Sequence, residues 1–361
     1  EGLRVMLSND DGVQPGAGSQ GLYELRQKLC AAGADVVVVG PWMDRSGASA
    51  SITYGSSSIR FTLTEPAIDP AYADDCASAP SGGPVWGACV TPAGGPAVCD
   101  ADTPTLTPAD AVTLGATAVR GAPVGWADGP ELIVAGINRG GNDGLNVNIS
   151  GTLGAATIGS SLGFPSIAIS ASSSGVWADN AAAAAEWSVG FLGMLAANEL
   201  LPADYVLSVN YPRVDSGPPT EAVWTTVAQM SEWATGFVAD EEAGDGELSF
   251  VSTYGPCTPG PRCGAVEDGS DSAIYGGARQ ISITPVAVNR TVGAAADTAT
   301  VQALVQAGYA NPEPPPFPPP VDEPEEPEQP EQPEEPEEPE QPSEEPEDPS
   351  EEPEAPAAAL I

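Results

Sequence analysis

The stretch LRVMLSNDDG, Leu3 to Gly12, decides the fold. Val5, Met6 and Leu7 form an apolar run without alternation, the pattern of a parallel strand buried on both faces. Ser8, Asn9, Asp10, Asp11 and Gly12 follow at once. Ligands of open α/β sheets bind beyond the carboxyl ends of strands, so chemistry is expected at this turn. Adjacent carboxylates there repel each other and lose hydration unless a cation compensates. A hard divalent ion with oxygen ligands is the natural compensator. In isolation, DDG would read as a helix cap and turn. At the end of a first strand, with matching pieces downstream, it reads as a metal loop.

Working outward, Leu22, Leu25 and Leu29 recur on one face of a helix expected over Gly21 to Ala32, with Gly33 as its stop. Asp35 to Gly40, DVVVVG, reads as a second buried strand, which completes a right-handed βαβ unit. The segment Pro41 to Ser51 then brings hydroxyls and amides, Ser46 among them, beside the DDG loop. Taken alone it is an ordinary polar connection. Residues Ile68 to Asp102, rich in Pro, Gly, Ala and Asp with three cysteines, read as a disulfide-held insertion outside the sheet. Pro108 to Val119 is expected to be a helix with Pro108 in its first turn.

Glu131 to Asn138, ELIVAGIN, reads as another buried strand, followed by the glycine-rich GINRGGNDG. There Asn138 and Asn142 present neutral oxygen or amide groups where backbone can approach a ligand closely. Ser150, Gly151 and Thr152 precede a helix, which gathers unpaired N–H groups, two hydroxyls and a positive dipole end. Alone this is a helix cap; next to a metal loop, phosphate binding becomes a competing reading. Strands are expected at Pro165 to Ser170, Tyr205 to Asn210 and Gln280 to Ala287, with helices near Ala181 to Leu200 and Ala299 to Tyr309. Between them, Pro218 to Gly277 mixes short β-like pieces with turns.

Composition excludes several chemistries. Of 361 residues, 51 are acidic and 11 basic, for a formal charge of −40, so nucleic acid polymers and anionic membranes are poor partners. Histidine is absent and Lys28 is the only lysine. Ser-His-Asp and Cys-His catalysis, His-ligated zinc and a Walker lysine are therefore ruled out. The GSSLG match at Gly159 to Gly163 has no base to serve it. No run of about 18 apolar residues occurs, so no membrane-spanning helix is expected.

The six cysteines form no CxxC. Cys257 and Cys263 flank a Pro-Gly-Pro turn and are expected to pair; Cys30, Cys76, Cys89 and Cys99 leave three pairings open. An even count in loop-rich segments fits an oxidising compartment. With a first residue other than methionine, this places the expected location outside the cytoplasm: secreted, periplasmic or associated with the cell envelope. From Asn311 the chain becomes a Pro/Glu repeat without core-forming residues, expected to be a disordered, extended tail over 311–361 after a domain over 1–310. The tail reads as a spacer, with the cell envelope as one contact, or as a solubilising appendage.

SNDDG, DRSGAS, AGINRGGN and the SGT before LGFPSIAIS, taken together and in this order, resemble the SurE family, the survival-protein 5′/3′-nucleotidases. TPAD at Thr107 to Asp110, LSVNYP at Leu207 to Pro212 and ISITP at Ile281 to Pro285 resemble later family segments, and the likeness runs from about Leu3 to about Ala287. The resemblance implies a Rossmann-like α/β sandwich with a parallel sheet and a smaller β-rich C-terminal extension, often used in homo-oligomer contacts. It implies Asp10, Asp11, Ser46 and Asn138 as metal ligands, Mg²⁺ or Mn²⁺ being the expected ion. Asn142, Ser150, Gly151 and Thr152 would lie around the phosphate. The chain departs from the family in VQPGAGSQG after DDG, in Leu106 before the TP pair, in the cysteine-bearing insertion and in the tail.

The expected activity is thus metal-dependent hydrolysis of nucleoside 5′- or 3′-monophosphates, an acid-phosphatase-like phosphomonoesterase. Asp10 and Asp11 are the catalytic residues, and the attacking water is activated by the metal. A non-catalytic envelope or extracellular binding protein on the same fold is the alternative from another class. Intact ligand positions favour the enzyme, since a binding-only descendant has no need of adjacent carboxylates.

Overall fold

Unbroken apolar runs form the centre of a nine-stranded sheet. In the computed structural model, β1 (Arg4–Ser8), β2 (Asp35–Pro41) and β5 (Leu132–Arg139) lie side by side and parallel. The structure describes residues 2–53, 59–121, 123–240, 249–257 and 262–289. All of these fall within one unit, Glu1–Thr291, whereas the second, Val292–Ile361, lies outside the described residues. So do the helix expected at Ala299 to Tyr309, the boundary at 310 and the acidic tail.

The remaining strands are β3 (Ile59–Thr64), β4 (Val85–Pro92), β6 (Ser166–Ala171), β7 (Tyr205–Tyr211), β8 (Ala222–Trp224), β9 (Trp233–Ala239), β10 (Phe250–Pro256) and β11 (Ile281–Ala287). The sheet order is β3-β4-β2-β1-β5-β6-β7-β11-β8, with β9 and β10 forming a separate antiparallel hairpin. From β4 to β7 all neighbours are parallel, while β3 and β11 run antiparallel at the two flanks. The doubly wound α/β architecture agrees with the expected class. The helices are α1 (Gln20–Ala31), α2 (Pro108–Leu114), α3 (Gly151–Ser161) and α4 (Trp177–Ala197). None among the described residues is long and apolar enough to cross a membrane.

Period-two alternation sends neighbouring strand residues to opposite faces. Val5, Leu7, Val36 and Val38 pack with Leu22, Leu25 and Leu29 of α1 and the buried alanines of α4. Met6, Val37 and Val39 face the other way, onto Ala111 and Val112 of α2 and Leu153, Ala155 and Ala156 of α3. The sheet is thereby covered on both sides, as a parallel sheet requires.

One expectation is corrected. Val85–Pro92, inside the supposed insertion, is a sheet strand paired in parallel with β2, and its alternate residues are buried. Only the flanking loops stand apart from the sheet. The helix expected at Pro108 to Val119 ends at Leu114 and continues as a π-helical turn over Gly115–Val119.

All six cysteines are paired, as Cys30–Cys76, Cys89–Cys99 and Cys257–Cys263. The last pair is the expected one. Beside Cys30–Cys76, the buried Arg26 donates to the carbonyls of Tyr72, Asp75 and Gly83 at 3.0, 2.7 and 2.7 Å. Covalent bond and guanidinium together hold the loop before β4 onto α1.

Candidate active site

The chain winds from β1 outward to β2 and β4 in one direction, and later from β5 to β7 in the other. The switch point lies between β1 and β5, where a crevice forms at the carboxyl ends of both strands. Asp10 and Asp11 leave β1 at that crevice, and Asn138 sits at the end of β5. Topology therefore brings together residues more than a hundred positions apart.

The DDG turn is held from several sides. Asn9 Nδ2 donates to the Gly12 carbonyl at 2.9 Å, and Val13 N–H to Pro41 at 3.0 Å. Gly12 has φ +83°, and a Cβ there would come within 3.0 Å of the Met43 and Asp44 backbone, so only glycine fits. Tyr23 of α1 donates its hydroxyl to Val13, and Trp177 of α4 its indole N–H to Ala17, each at 2.6 Å.

Around the carboxylates the contacts are specific. Thr152 donates its hydroxyl to Asp10 Oδ1 at 2.7 Å, and the Arg139 N–H reaches Asp11 Oδ2 at 3.1 Å. The Arg45 N–H donates to the Asp10 carbonyl at 2.7 Å, which places Ser46 one residue beyond this tie, exposed. Asn138 spends its amide N–H on the Gly140 carbonyl at 2.7 Å, leaving Oδ1 as a neutral acceptor. A Cβ on Gly151 would lie 2.8 Å from both Cβ and Oδ2 of Asp10, so α3 begins directly against the carboxylate.

Of the residues expected around phosphate, Ser150 caps α3 by accepting from Leu153 N–H at 3.1 Å. Asn142 Nδ2 donates to Thr152 Oγ1 at 3.2 Å and to Ser170 Oγ at 2.8 Å, while its N–H is accepted by Asn210 at 2.7 Å. Thr152 and Asn142 therefore hold Asp10 in place through a buried network. Sequence reasoning missed Ser170 and Asn210 in this role, as well as Asp44, whose charge bears on both carboxylates. Asp44 stands in DRSGAS, Ser170 in LGFPSIAIS and Asn210 in LSVNYP, but nothing in those segments singled out these side chains. TPAD also gains a function: Asp110 accepts from Thr53 N–H at 3.0 and 3.1 Å, and Thr107 donates to Ser51 at 2.6 Å. These bonds fasten the far end of the Ser46 loop.

Burial pushes the Asp10 carboxyl upward, against the opposing pull of Thr152. Asp11 rises to about 7, first through burial and second through the Asp10 charge. Neither carboxylate belongs to an ion pair among the described residues. Such a pair needs protons or a cation. Asp10, Asp11, the free Asn138 oxygen and the Ser46 hydroxyl are all hard oxygen donors, the type that Mg²⁺ or Mn²⁺ prefers. Among the described residues no three Asp, Glu, Cys or His side chains form a metal cluster. The set offered here has two acids, with Ser46 and Asn138 each next in sequence to a residue whose N–H bonds one of them.

Comparison with known proteins gives the family. The family model described as survival protein SurE matches residues 5–234. The chain belongs to the SurE family. The protein called 5′-nucleotidase SurE in Xanthomonas axonopodis pv. citri is 32% identical over 302 residues, covering 82% of this chain and 94% of that relative. Its namesake in Aeromonas hydrophila subsp. hydrophila is 31% identical over 293 residues, covering 80% and 94%. The crystal structure of SurE from Aquifex aeolicus shares the fold, with a TM-score of 0.54 at 23% identity, over 84% of this chain and 99% of that one.

Proposed function

We propose that the chain is a divalent-metal-dependent phosphomonoesterase that hydrolyses nucleoside 5′- and 3′-monophosphates. The observation that carries this is the Asp10–Asp11 pair at the switch point, Asp10 buried and Asp11 half-buried, with no ion-pair partner among the described residues. Relatives that cover most of the chain are named 5′-nucleotidases, which supports the substrate class. Asp10, Asp11, Ser46 and Asn138 would hold the ion. Once bound, it supplies Lewis-acid polarisation and neutralises charge on the phosphoryl group. The Gly151 N–H and the positive end of α3 would receive the remaining phosphoryl oxygens, since the Leu153 N–H is spent on Ser150 and that of Thr152 on Asp10. Thr152 fixes the Asp10 rotamer, and Asn142 fixes Thr152. One of the two carboxylates takes the proton of the attacking water as the P–O ester bond breaks, and the leaving oxygen is protonated from solvent.

Three disulfides support an exported protein. The hairpin of β9 and β10 exposes Phe237, Val238, Phe250 and Val251, which supports a homo-oligomer built on this extension. The composition of the acidic tail supports, as part of this proposal, a contact with the cell envelope.

The test is phosphate release from nucleoside 5′-monophosphates against Mg²⁺ or Mn²⁺, with circular dichroism as the folding control. Excess EDTA should abolish turnover, and so should Asp10→Asn in a folded protein. Activity that persists in either case refutes the mechanism. A folded protein that binds nucleotide but never turns it over supports the non-catalytic alternative.

A further inference from the structure

Beside the glycine loop lies a cavity of about 270 Å³, walled by Ser172, Arg213, Tyr275 and Arg279. It adjoins the phosphate network through two walls. Ser172 follows the end of β6 and lies two residues beyond Ser170, which holds Asn142, so it is about 7 Å further along the chain. The Tyr275 ring covers Gly141 so closely that a Cβ there would come within 2.8 Å of the phenol oxygen. Burial pushes the Tyr275 phenol up to about 12, so it stays protonated and can donate.

The charge of this cavity is unlike that of the chain. Two of only 11 basic residues line it, in a protein of formal charge −40. Among the described residues they share one ion-pair partner: Asp215 lies 2.6 Å from Arg279 Nη2 and 3.5 Å from Arg213 Nε, while the Asp143 charge bears on Tyr275. Arg279 Nε is buried without a hydrogen-bond partner, and Arg213 makes no bond through its terminal nitrogens among the described residues. Arg279 also has φ +57°, a conformation that favours glycine, so the chain keeps an arginine where its backbone is unfavourable. Tyr275 and Arg279 lie beyond residues 5–234 matched by the family model.

We propose that this cavity is a second-phosphate subsite, taking the far phosphate of a nucleoside 3′,5′-bisphosphate while the near phosphate lies at the start of α3. The proposal rests on the phosphatase reading above. Two guanidinium groups and a phenol, the phenol steadied by the Ser172 hydroxyl, form a donor set suited to phosphate. At this volume the cavity takes a substituent, since whole small-molecule sites run to roughly 300–1,000 Å³. The Tyr275 ring, part of the cavity wall and set against Gly141, offers an apolar face to a ribose spacer. Linear polyphosphate, whose phosphorus atoms are separated by single oxygens, has nothing to place against that ring.

The experiment compares adenosine 3′,5′-bisphosphate, AMP and tripolyphosphate, by turnover and by calorimetric binding, in wild type and Arg213→Gln. Wild type should prefer the bisphosphate to AMP by about tenfold or more in kcat/KM, the scale of charged hydrogen bonds, and Arg213→Gln should close most of that gap. If the glutamine variant does not fold, Arg213→Lys takes its place and should narrow the gap. Equal kcat/KM for bisphosphate and AMP overturns the proposal. So does a gap that survives substitution, or a preference for tripolyphosphate without one for the bisphosphate. If no substrate is turned over, the phosphatase reading falls and calorimetry decides the subsite alone. The same gap in Kd, closed by substitution, upholds it; no gap overturns it.

Discussion

Asp10 and Asp11 show what adjacency means at the scale of a residue. Each is pushed toward its neutral form, Asp11 to about 7 from an ordinary 3.8. A carboxyl raised in the folded state adds no penalty below its unfolded value. Stability is then lost as pH climbs toward the folded value, because the unfolded chain releases its proton first. For metal-free protein the window is therefore about pH 4 to 7, and the Asp11 shift corresponds to at most ~4 kcal/mol. In EDTA at pH 8, Asp11→Asn should melt above wild type, and the difference should shrink toward zero near pH 4. Saturating Mg²⁺ or Mn²⁺ should raise the wild-type Tm at pH 8 and have little effect near pH 4, since the ion requires the ionised form. Thermal melts across this range decide the matter. Constant separation of the two proteins at all pH values would remove the ionisation argument.

At the scale of elements, the disulfides differ in what they close. Cys30 and Cys76 are 46 residues apart and tie α1 to the loop before β4, whereas Cys257 and Cys263 are only 6 apart. Loop-closure entropy gives ~4 kcal/mol for the first and ~2 kcal/mol for the second. Replacing Cys30 and Cys76 by serine should lower the denaturant midpoint about twice as far as replacing Cys257 and Cys263, measured by urea unfolding. Element type was legible in the sequence wherever burial was two-sided. VMLS, DVVVVG and ELIVAGIN run apolar without interruption because both faces are covered. Val85–Pro92 was hidden by its glycine, cysteine and flanking prolines. Ile59–Thr64 was hidden because, at the sheet edge, it is mostly half-buried. Adjacent acids after β1 pointed to the candidate site. The bond from Thr152 to Asp10 and the Tyr275 ring over Gly141 did not, because both join segments that only the folded topology brings together.

The whole molecule carries a formal charge of −40, and its substrate is also anionic. Long-range repulsion slows their encounter and is screened beyond a Debye length of about 10 Å at 0.1 M salt. At fixed free metal, kcat/KM for a nucleoside monophosphate should rise a few-fold as KCl increases from low to physiological levels. A fall would mean that local positive charge already steers the substrate. The ties to the carboxylates have a consequence for the order of assembly. The bond from Thr152 to Asp10 spans 142 residues and that from Arg139 to Asp11 spans 128, so neither can form from local structure. Loop closures of this length come late, after helices and nearest-neighbour strands have formed. A refolding chain can therefore regain its helical content while its two aspartates still lack the partners that aim them. Competence cannot precede the docking of β5 and α3 against β1.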